Sequence, residues 1–299
     1  MIKFREITKV FKSDILKKPF VALDQVSFNI PEGSMVGFLG ANGAGKTTSL
    51  KIIMDFIRPT SGVIEFDSNL GHNWTEITRN IGFLPERPYF YPNLTGREFL
   101  HFLGRLSEVS NSTLLQRISF WAPRFKIDHA LDREIKNYSK GMLQRIGFLA
   151  TILHDPRLII LDEPLSGLDP IGRKELKDVI IEVHRQGKTV FFSSHIVPDI
   201  EEICDRVIFL KQGKLSYDGR VSDLLMTNKS ENYLIRLSRA IDFPGAVFTP
   251  SDNQQSVTAV VNEHHKRQFI EEVISQGADI LSLEKKRSSL EEIFYNTRE

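Results

Sequence analysis

The chain has 299 residues and a nearly balanced charge, with 39 basic and 38 acidic side chains and a formal net charge of +1. That length suits one large α/β domain together with a small second domain. Proteins that hold nucleic acid or anionic lipid by charge alone usually carry a large basic excess. The composition argues against both classes, and we expect no nucleic-acid partner.

The sequence contains a single cysteine, Cys204, which cannot form an intramolecular disulfide and favours a reducing compartment. The first residues lack the apolar core of a signal peptide. No stretch approaches the roughly 18 apolar residues of a membrane span. We therefore expect a cytoplasmic protein that reaches a membrane only through a partner.

The N-terminal part of the chain predicts strands. Val26, Phe28 and Ile30 alternate with polar residues, as in a strand with one buried face. A lysine-rich insertion at 12–19 predicts an exposed loop. The apolar run 35–39 predicts a buried strand.

Two helices are predicted next, from apolar residues that recur at helical spacing. The face of the first is formed by Leu50, Ile53, Met54 and Ile57. Pro59 and Gly62 are expected to end it. The second begins with a capping-box pattern, Thr95 and Glu98. Its apolar face is formed by Phe99, Phe102, Leu103 and Leu106.

Buried strands and helices then alternate. The apolar runs 158–161 and 189–192 predict strands, and the helix between them is expected to end at Gly187. The buried side of that helix is formed by Leu176, Val179, Ile180 and Val183. Strands that alternate with helices predict a parallel sheet with crossover helices.

The character of the chain changes near residue 225. Strands are predicted at 234–237, 257–261 and 280–283, with a helix around Phe269 and Val273. A terminal helix is predicted from Ser289, with Glu292 completing a capping box. We therefore predict a domain at 1–225, with a helical subdomain at about 88–150, and a small α+β domain at 226–299.

A glycine-rich segment between the strand at 35–39 and the first helix carries the strongest chemical signal. Gly40-Ala41-Asn42-Gly43-Ala44-Gly45-Lys46-Thr47 fits the phosphate-binding pattern G-x-x-x-x-G-K-[ST]. Its backbone amides and the helix N-terminus suit phosphate oxygens. Lys46 is expected to reach the β- and γ-phosphates of ATP, and the Thr47 hydroxyl to bind Mg²⁺. The predicted nucleotide-binding residues are Gly40, Asn42, Gly43, Ala44, Gly45, Lys46, Thr47 and Thr48.

The strand at 158–161 ends in Asp162-Glu163-Pro164. A carboxylate at the carboxyl end of a parallel strand beside such a loop is placed to help hold Mg²⁺, which we assign to Asp162. Glu163 is then predicted to polarise the attacking water as the catalytic base. Consecutive side chains diverge, so the two carboxylates can serve different partners.

With these residues in place, the chain from about residue 2 to 225 resembles the nucleotide-binding domain of ABC ATPases. The family landmarks follow in order as Gly40–Thr47, 82–86, 137–142, 162–163, Ser166-Gly167-Leu168-Asp169 and Ser194-His195. The resemblance implies an α/β P-loop ATPase fold with a mainly parallel sheet, N-terminal antiparallel strands and a helical subdomain, joined to the small C-terminal α+β unit.

The resemblance also implies a head-to-tail dimer, a homodimer or a pair with a related subunit, that holds two ATP molecules at its interface. Ser139 and Gly141 of one subunit would cap the γ-phosphate held by Lys46 of the other. This fits the residues, because Ser139 precedes a predicted helix whose N-terminus can receive an anion. Asp169 is assigned to the nucleotide site on the same ground.

Three further roles rest on the resemblance alone. His195 corresponds to the catalytic histidine that contacts the γ-phosphate. Phe11 stands where the family places an aromatic residue against adenine, although a core phenylalanine is the alternative. Glu86 stands where the family has a glutamine that contacts Mg²⁺, and glutamate can also ligate this ion.

The signature segment reads Tyr138-Ser139-Lys140-Gly141-Met142, whereas the family more often has Leu-Ser-Gly-Gly-Gln. Ser139 and the second glycine, Gly141, are retained. Lys140 adds a charge near the phosphates, which either helps binding or lies in solvent.

Several features favour a transport subunit within this class. The chain shows one ATPase unit, no coiled-coil heptads and no zinc-type cysteines, which disfavours repair, chromosome and two-cassette ribosome factors. The aromatic segment 89–95 lies close to where the family docks a cytoplasmic helix of a permease. The segment 289–294 resembles the tail of bacterial subunits that pair with exporter-type permeases.

We therefore predict an ATP-hydrolysing subunit that energises a separate membrane permease, with export favoured, and that lies on the inner face of the membrane through that permease. The alternative is a soluble ABC-type ATPase with a regulatory or nucleic-acid-linked role and no membrane partner.

Overall fold

The computed structural model describes residues 1–12, 19–227, 231–244, 246–250, 256–286 and 290. The chain divides into two compact units, 1–221 and 222–299, where the sequence placed the boundary near 225. Most of the predicted lysine-rich loop, and the predicted terminal helix apart from Leu290, lie outside the described residues. Within the described ranges, no helix has both the length and the apolar composition needed to cross a bilayer.

In its described part, the first unit alternates strands and helices. Its strands are β1 (Ile2–Phe11), β2 (Phe20–Ile30), β3 (Met35–Leu39), β4 (Ser61–Phe66), β5 (Ile81–Leu84), β6 (Leu158–Leu161), β7 (Thr189–Ser194), β8 (Arg206–Lys211) and β9 (Lys214–Arg220). Its α-helices are α1 (Lys46–Ile53), α2 (Trp74–Arg79), α3 (Gly96–Leu106), α4 (Asn111–Arg124), α5 (Lys140–Ile152), α6 (Pro170–Arg185) and α7 (Val197–Ile203).

The strands of the first unit form two sheets. An antiparallel sheet has the order β2-β1-β4, and a larger sheet has the order β5-β6-β7-β3-β8-β9. In the larger sheet all neighbours pair in parallel except β8 and β9. The prediction of a mainly parallel sheet with antiparallel N-terminal strands is confirmed.

Four phenylalanine rings join the two sheets of the first unit. Phe4 and Phe28 from the antiparallel sheet stack with their centroids 4.5 Å apart. Phe28 meets Phe38 of β3 at 5.6 Å and Phe191 of β7 at 6.1 Å. All four are buried, and aromatic pairs at such distances stabilise beyond their buried area. The core therefore fixes β1 and β2 beside β3, where the glycine-rich loop begins.

The first predicted helix is shorter than its apolar pattern suggested. α1 ends at Ile53, because Asp55 adopts a left-handed conformation with φ of 53°. Phe56 N then donates to Lys51 O, which closes the C-terminus as in a Schellman motif. Met54 and Ile57 still pack against the core, but from outside the helix. Pro59 and Gly62 therefore do not end it, and that part of the prediction was wrong.

The helix α3 begins as predicted and differs from the prediction in its apolar face. The Thr95 side chain accepts from Glu98 N, and the Glu98 carboxylate accepts from Thr95 N, which confirms the capping box. Phe99 is buried, whereas Phe102 and Leu106 are exposed. The apolar stripe therefore continues from the core onto the surface.

The helix α7 lies directly against β3. A side chain at Gly37 would place its Cβ 2.5 Å from Ile200 Cγ2 and 3.0 Å from Cys204 Sγ. Glycine at this position therefore allows the helix its close approach. Cys204 is buried, and burial raises the pKa of its thiol, as expected of an inert core cysteine.

The second unit contains α8 (Val221–Thr227), which begins at the boundary, and α9 (Lys266–Ser275). Its antiparallel sheet has the order β11-β12-β10-β13, formed by β10 (Asn232–Leu237), β11 (Phe248–Pro250), β12 (Val257–Asn262) and β13 (Ile280–Lys285). Phe269 and Val273 of α9 are buried against residues such as Ile235 of the sheet. The strands β10, β12 and β13 match the predicted strands, whereas β11 was not predicted.

We expect a variant without residues 230–299 to bind nucleotide as the full chain does, because every predicted phosphate-handling residue lies in the first unit. The measurement is ATP titration of both proteins, with circular dichroism to confirm folding. A folded truncated variant that fails to bind ATP would contradict the assignment of nucleotide binding to the first unit alone.

Candidate active site

The loop between β3 and α1 is shaped by glycines at positions that other residues do not tolerate. Gly43 and Gly45 have φ of 82° and 107°. A Cβ at Gly45 would lie 2.7 Å from Leu23 Cδ2 and 2.8 Å from Ala22 O. A Cβ at Gly40 would lie 2.8 Å from Leu210 O. The loop therefore folds tightly against β2 and β8, leaving a backbone cradle at the start of α1.

The side chain of Lys46 lies inside this cradle and is only 6% exposed. Its Nζ donates to Gly40 O at 2.7 Å and lies 3.3 Å from Glu163 Oε1. The first turn of α1 contains no acidic residue. The ammonium group and the positive end of the helix dipole therefore act in the same place, which suits a polyanion.

A pocket of 370 Å³ opens at this loop. It is lined by Phe20, Ala22, Ala41, Asn42, Gly43, Gly45, Lys46, Thr47, Thr48, Glu86, Glu163, Ser166 and His195. Nine of the predicted site residues are among them, namely Asn42, Gly43, Gly45, Lys46, Thr47, Thr48, Glu86, Glu163 and His195. The structure thus brings together segments that lie more than a hundred residues apart in the sequence.

Asp162 lies at the inner end of the site and is 2% exposed. Ser193 Oγ donates to Asp162 Oδ1 at 2.6 Å and accepts from Glu163 N at 2.9 Å. Burial raises the pKa of the Asp162 carboxyl, whereas hydrogen bonds from Ser193 and Thr47 lower it and the charges of Glu163 and Glu86 raise it. The ionised form of the Asp162 carboxylate is therefore destabilised, and a nearby positive charge would stabilise it.

Glu163 occupies the centre of the site. It adopts a left-handed conformation, with φ of 51°, which turns its side chain back towards the loop. Its Oε2 accepts from His195 Nδ1 at 2.8 Å, since an ionised carboxylate can only accept. Its Oε1 is buried without a hydrogen bond and has only the ion pair with Lys46. Glu163 therefore lies between a lysine and a histidine from two other segments.

His195 was predicted to contact the γ-phosphate. In the structure it contacts Glu163, so its ring orients the carboxylate that was predicted to act as the base. His195 also lines the pocket, so its contact with the γ-phosphate stays a prediction.

The aromatic residue at the pocket differs from the one predicted. Phe20 lines the pocket, whereas Phe11 does not. The two residues pair across β1 and β2, and Lys9 Nζ lies 5.0 Å from the centroid of the Phe11 ring. Of the two paired phenylalanines, therefore, Phe20 is the one that lines the pocket.

The predicted site residues that do not line the pocket are Phe11, Gly40, Ala44, Ser139, Gly141, Asp162 and Asp169. Ser139 is the N-cap of α5, and its Oγ accepts from Met142 N at 3.3 Å. Asp169 is the N-cap of α6, and its Oδ1 accepts from Gly172 N at 3.0 Å. A Cβ at Gly141 would lie 3.5 Å from Leu168 Cδ2. The two helix starts thus adjoin each other, and neither reaches the pocket within one chain.

Lys140 lies across the segment that follows Glu163. A Cβ at Gly167, whose φ is 71°, would overlap the Lys140 side chain and lie 2.6 Å from its Cε. The exposed lysine side chain therefore lies beside the turn at 166–169 of its own chain, in agreement with the alternative that places its charge in solvent.

Sequence reasoning assigned no role to Ser166, Ser193 or Phe20. The signal for Ser193 was available, because it lies one residue before the end of a strand next to β6 in a parallel sheet, where the carboxyl ends meet. Phe20 lies beyond the lysine-rich insertion, which obscured its register with Phe11.

A family model described as ABC transporter matches residues 23–166. An uncharacterized ABC transporter ATP-binding protein of Nostoc sp. is 35% identical, with 97% of this chain and 88% of that protein covered. The bacitracin transport ATP-binding protein BcrA of Bacillus licheniformis is 32% identical, with 98% and 96% covered.

Solved structures of ABC transporter subunits are also similar to this chain. An ATP-binding subunit of an ABC transporter superposes with a TM-score of 0.67 at 27% identity, covering 76% of this chain and 92% of that one. A bacterial ABC transporter cassette solved as a dimer gives 0.66 at 25% identity, covering 74% and 99%. The fold predicted from the sequence is confirmed.

Replacing Asp162 by Asn should stabilise the free protein at neutral pH. Folding raises the pKa of Asp162, so the native chain loses stability as the pH rises from the ordinary aspartate pKa through the raised folded value. The Asn side chain carries no such loss. The Tm difference in favour of Asp162→Asn should therefore grow across that window and then stay constant, as measured by thermal unfolding at a series of pH values.

Asp132→Asn is the matched control with the opposite sign. Hydrogen bonding from Arg97 lowers the pKa of the exposed Asp132 carboxyl. Its replacement should slightly lower the Tm at neutral pH, and the difference should vanish as the pH falls through the lowered value. Equal pH profiles for the two variants would contradict the burial of Asp162 as the cause.

Proposed function

Because this chain belongs to the family of ABC transporter ATP-binding proteins, we propose that it hydrolyses ATP to drive a membrane permease formed by a separate chain. The observation that carries this proposal is the placement of Glu163 between Lys46 and His195 at the mouth of the phosphate loop. A carboxylate there faces both the site for the transferred phosphate and a group that can orient it.

The triphosphate of ATP would bind at the loop between β3 and α1. The backbone amides from Gly43 to Thr48 and the N-terminus of α1 offer donors to its oxygens. Lys46 Nζ, which donates to Gly40 O and pairs with Glu163, offers its positive charge to the β- and γ-phosphates. The exposed ring of Phe20 would lie against the adenine.

The residues present fit a magnesium ion. The Thr47 hydroxyl and the Asp162 carboxylate are hydrogen bonded to each other, and Glu86 is near enough to act on the charge of Asp162. Mg²⁺ favours oxygen ligands and usually binds through one or two carboxylates together with substrate phosphates. Thr47, Asp162 and Glu86 would hold the ion. When bound, it neutralises charge that develops on the phosphates.

Glu163 would act as the base in hydrolysis. It takes a proton from water as the water oxygen attacks the γ-phosphorus and the bond to the β-phosphate oxygen breaks. His195 Nδ1 keeps the carboxylate in place for this transfer. The left-handed backbone of Glu163 serves the same purpose, since strained conformations often occur at functional sites.

The proposal includes a dimer, because Ser139, Gly141 and Asp169 lie outside the pocket of their own chain. A second subunit placed head to tail would bring these residues to the γ-phosphate bound by the first. The N-terminus of α5 is suited to this role, since its first turn holds no acidic residue. An isolated subunit would then be a slow ATPase, with the transition-state charge only partly stabilised.

Replacing Glu163 by Gln should slow ATP hydrolysis by roughly 10²–10⁴-fold, or about 3–5 kcal/mol of barrier, while ATP binding is kept. The amide preserves the shape of the side chain but cannot take the proton. ATP-bound dimer should accumulate, which size-exclusion chromatography with ATP and Mg²⁺ measures.

Lys46→Ala is the contrasting variant. It removes the positive charge of the lysine that faces the transferred phosphate and should abolish ATP binding or turnover. Normal hydrolysis by Glu163→Gln would move the base elsewhere, and Glu86 is then the first residue to test.

The permease would dock on an aromatic surface formed by Tyr89, Tyr91 and Phe102. Tyr89 is 80% exposed. The rings of Tyr89 and Tyr91 lie 5.5 Å apart, and those of Tyr91 and Phe102 lie 5.3 Å apart. An apolar groove of 370 Å³ adjoins them, between the segment after β5 and the helices α3 and α5. Exposed aromatic clusters of this kind are typical of protein interfaces.

Docking there would couple the permease to the site, because Glu86 opens the segment that carries the two tyrosines. The protein would thereby lie on the inner face of the membrane. Export is the direction we propose, on the ground of full-length similarity to a relative named for bacitracin transport and of the tail at 289–294.

Replacing both Tyr89 and Tyr91 by Ala should weaken co-purification with the permease and leave the ATP affinity of the free subunit nearly unchanged. The reason is that the tyrosines line the docking surface and not the nucleotide pocket. Phe120→Ala, which removes another exposed aromatic ring from the helical subdomain, is the control. An intact complex with the double tyrosine variant would show that this surface is not used.

A further inference from the structure

A cluster of four charged residues joins α6 to α7. Arg173 and Lys177 are four residues apart on α6 and so share one face. Asp199 lies on α7, with Oδ2 3.2 Å from Arg173 and Oδ1 3.8 Å from Lys177. Glu202, one turn further along α7, also pairs with Lys177.

Asp199 is the buried member of the cluster, with a side chain that is 5% exposed. Burial raises the pKa of its carboxyl, and the charges of Arg173 and Lys177 oppose that rise. Arg173 Nε and Asp199 Oδ2 are buried without hydrogen bonds. The ion pairs therefore offset the free-energy cost of burying these two groups. A buried charge is costly when its partner is removed, and such a pair therefore fixes the placement of the elements that carry it.

The two helices in contact carry functional segments at their starts. α7 begins two residues after His195, and Asp199, its third residue, lies four residues beyond that histidine. α6 begins directly after Asp169, whose carbonyl accepts from Arg173 N at 2.9 Å. The cluster thus ties the segment of His195 to the helix that follows the turn at 166–169.

In the part of the chain that the structure describes, the His195 side chain has one polar partner, Glu163. Its side chain is 40% exposed, so burial does not fix its ring, and its contact with Glu163 is a single hydrogen bond. The position of the ring therefore depends on the backbone at both ends of its segment, which are β7 on one side and α7 on the other.

We propose that Asp199 is a positioning residue for ATP hydrolysis, which holds α7 on α6 so that His195 stays hydrogen bonded to Glu163. The proposal rests on the hydrolytic role assigned to Glu163 and His195. Neither Asp199 nor Arg173 lines the nucleotide pocket, so the ion pair would act through the placement of α7.

A double-mutant cycle tests this role. Asp199→Asn keeps the size of the side chain and removes its charge. It should lower kcat by about 10-fold and leave the KM for ATP unchanged, since small displacements of a catalytic group can cost up to 10²-fold. In a His195→Ala background the same change should alter the residual single-turnover rate by less than about 2-fold, because residues that act through one another are not additive.

The outcomes distinguish the hydrolytic role of Glu163 and His195 from the positioning role of Asp199. Native hydrolysis by His195→Ala alone would overturn the hydrolytic role of the site. A slow His195→Ala variant, with an equal further loss on adding Asp199→Asn, would overturn the positioning role and leave the site intact. No loss of kcat in Asp199→Asn alone would overturn it as well.

Asp218→Asn is the matched control, because Asp218 is a partly buried carboxylate that pairs with Arg206 at 2.7 Å, away from α6. It should lower the Tm without changing kcat. If Asp199→Asn does not fold, Asp199→Glu keeps the charge on a longer side chain. It should lower kcat only when His195 is present, and an equal loss in both backgrounds would again overturn the positioning role.

Discussion

The parallel pairing of β3, β7 and β6 is the constraint on which the site depends. Leu39 pairs with Ser194, and Leu161 pairs with Phe192, so the three strands end at one edge of the sheet. The glycine-rich loop, the segment of His195 and the pair Asp162-Glu163 all leave from that edge. Side chains from distant parts of the sequence meet there because parallel strands must present their carboxyl ends together.

Charge compensation organises the contacts made at this edge. Lys46 is buried and bonded only to oxygen atoms, Asp162 is buried beside a hydroxyl, and Glu163 has one oxygen without a hydrogen bond. Each group is costly to bury unless an opposite charge lies close by. In the proposed function, a nucleotide with its metal ion would supply a polyanion for the lysine and a cation for the carboxylates. The same principle governs Asp199, whose compensation comes from within the protein and ties α7 to α6.

Two further surfaces of the first unit have different proposed partners. The helix starts at Ser139 and Asp169 adjoin each other and lie outside the pocket, which suits contact with a second subunit. The aromatic rings of Tyr89, Tyr91 and Phe102 follow Glu86 in the chain and do not line the nucleotide pocket, which suits contact with a permease. The proposed coupling follows from this order along the chain.

The sequence by itself determined the phosphate loop, the capping box of α3 and the buried strands, because spacing, local hydrogen bonds and apolar runs act over a few residues. It also placed Asp162 and Glu163 beside the loop, since strand ends in a parallel sheet meet. Only the tertiary structure decided that α1 ends at Ile53, because the left-handed conformation of Asp55 interrupts the apolar period. It alone decided that Phe20 lines the pocket and that Asp199 pairs with Arg173. These features depend on strand register and on the packing of one helix against another, which no local pattern encodes.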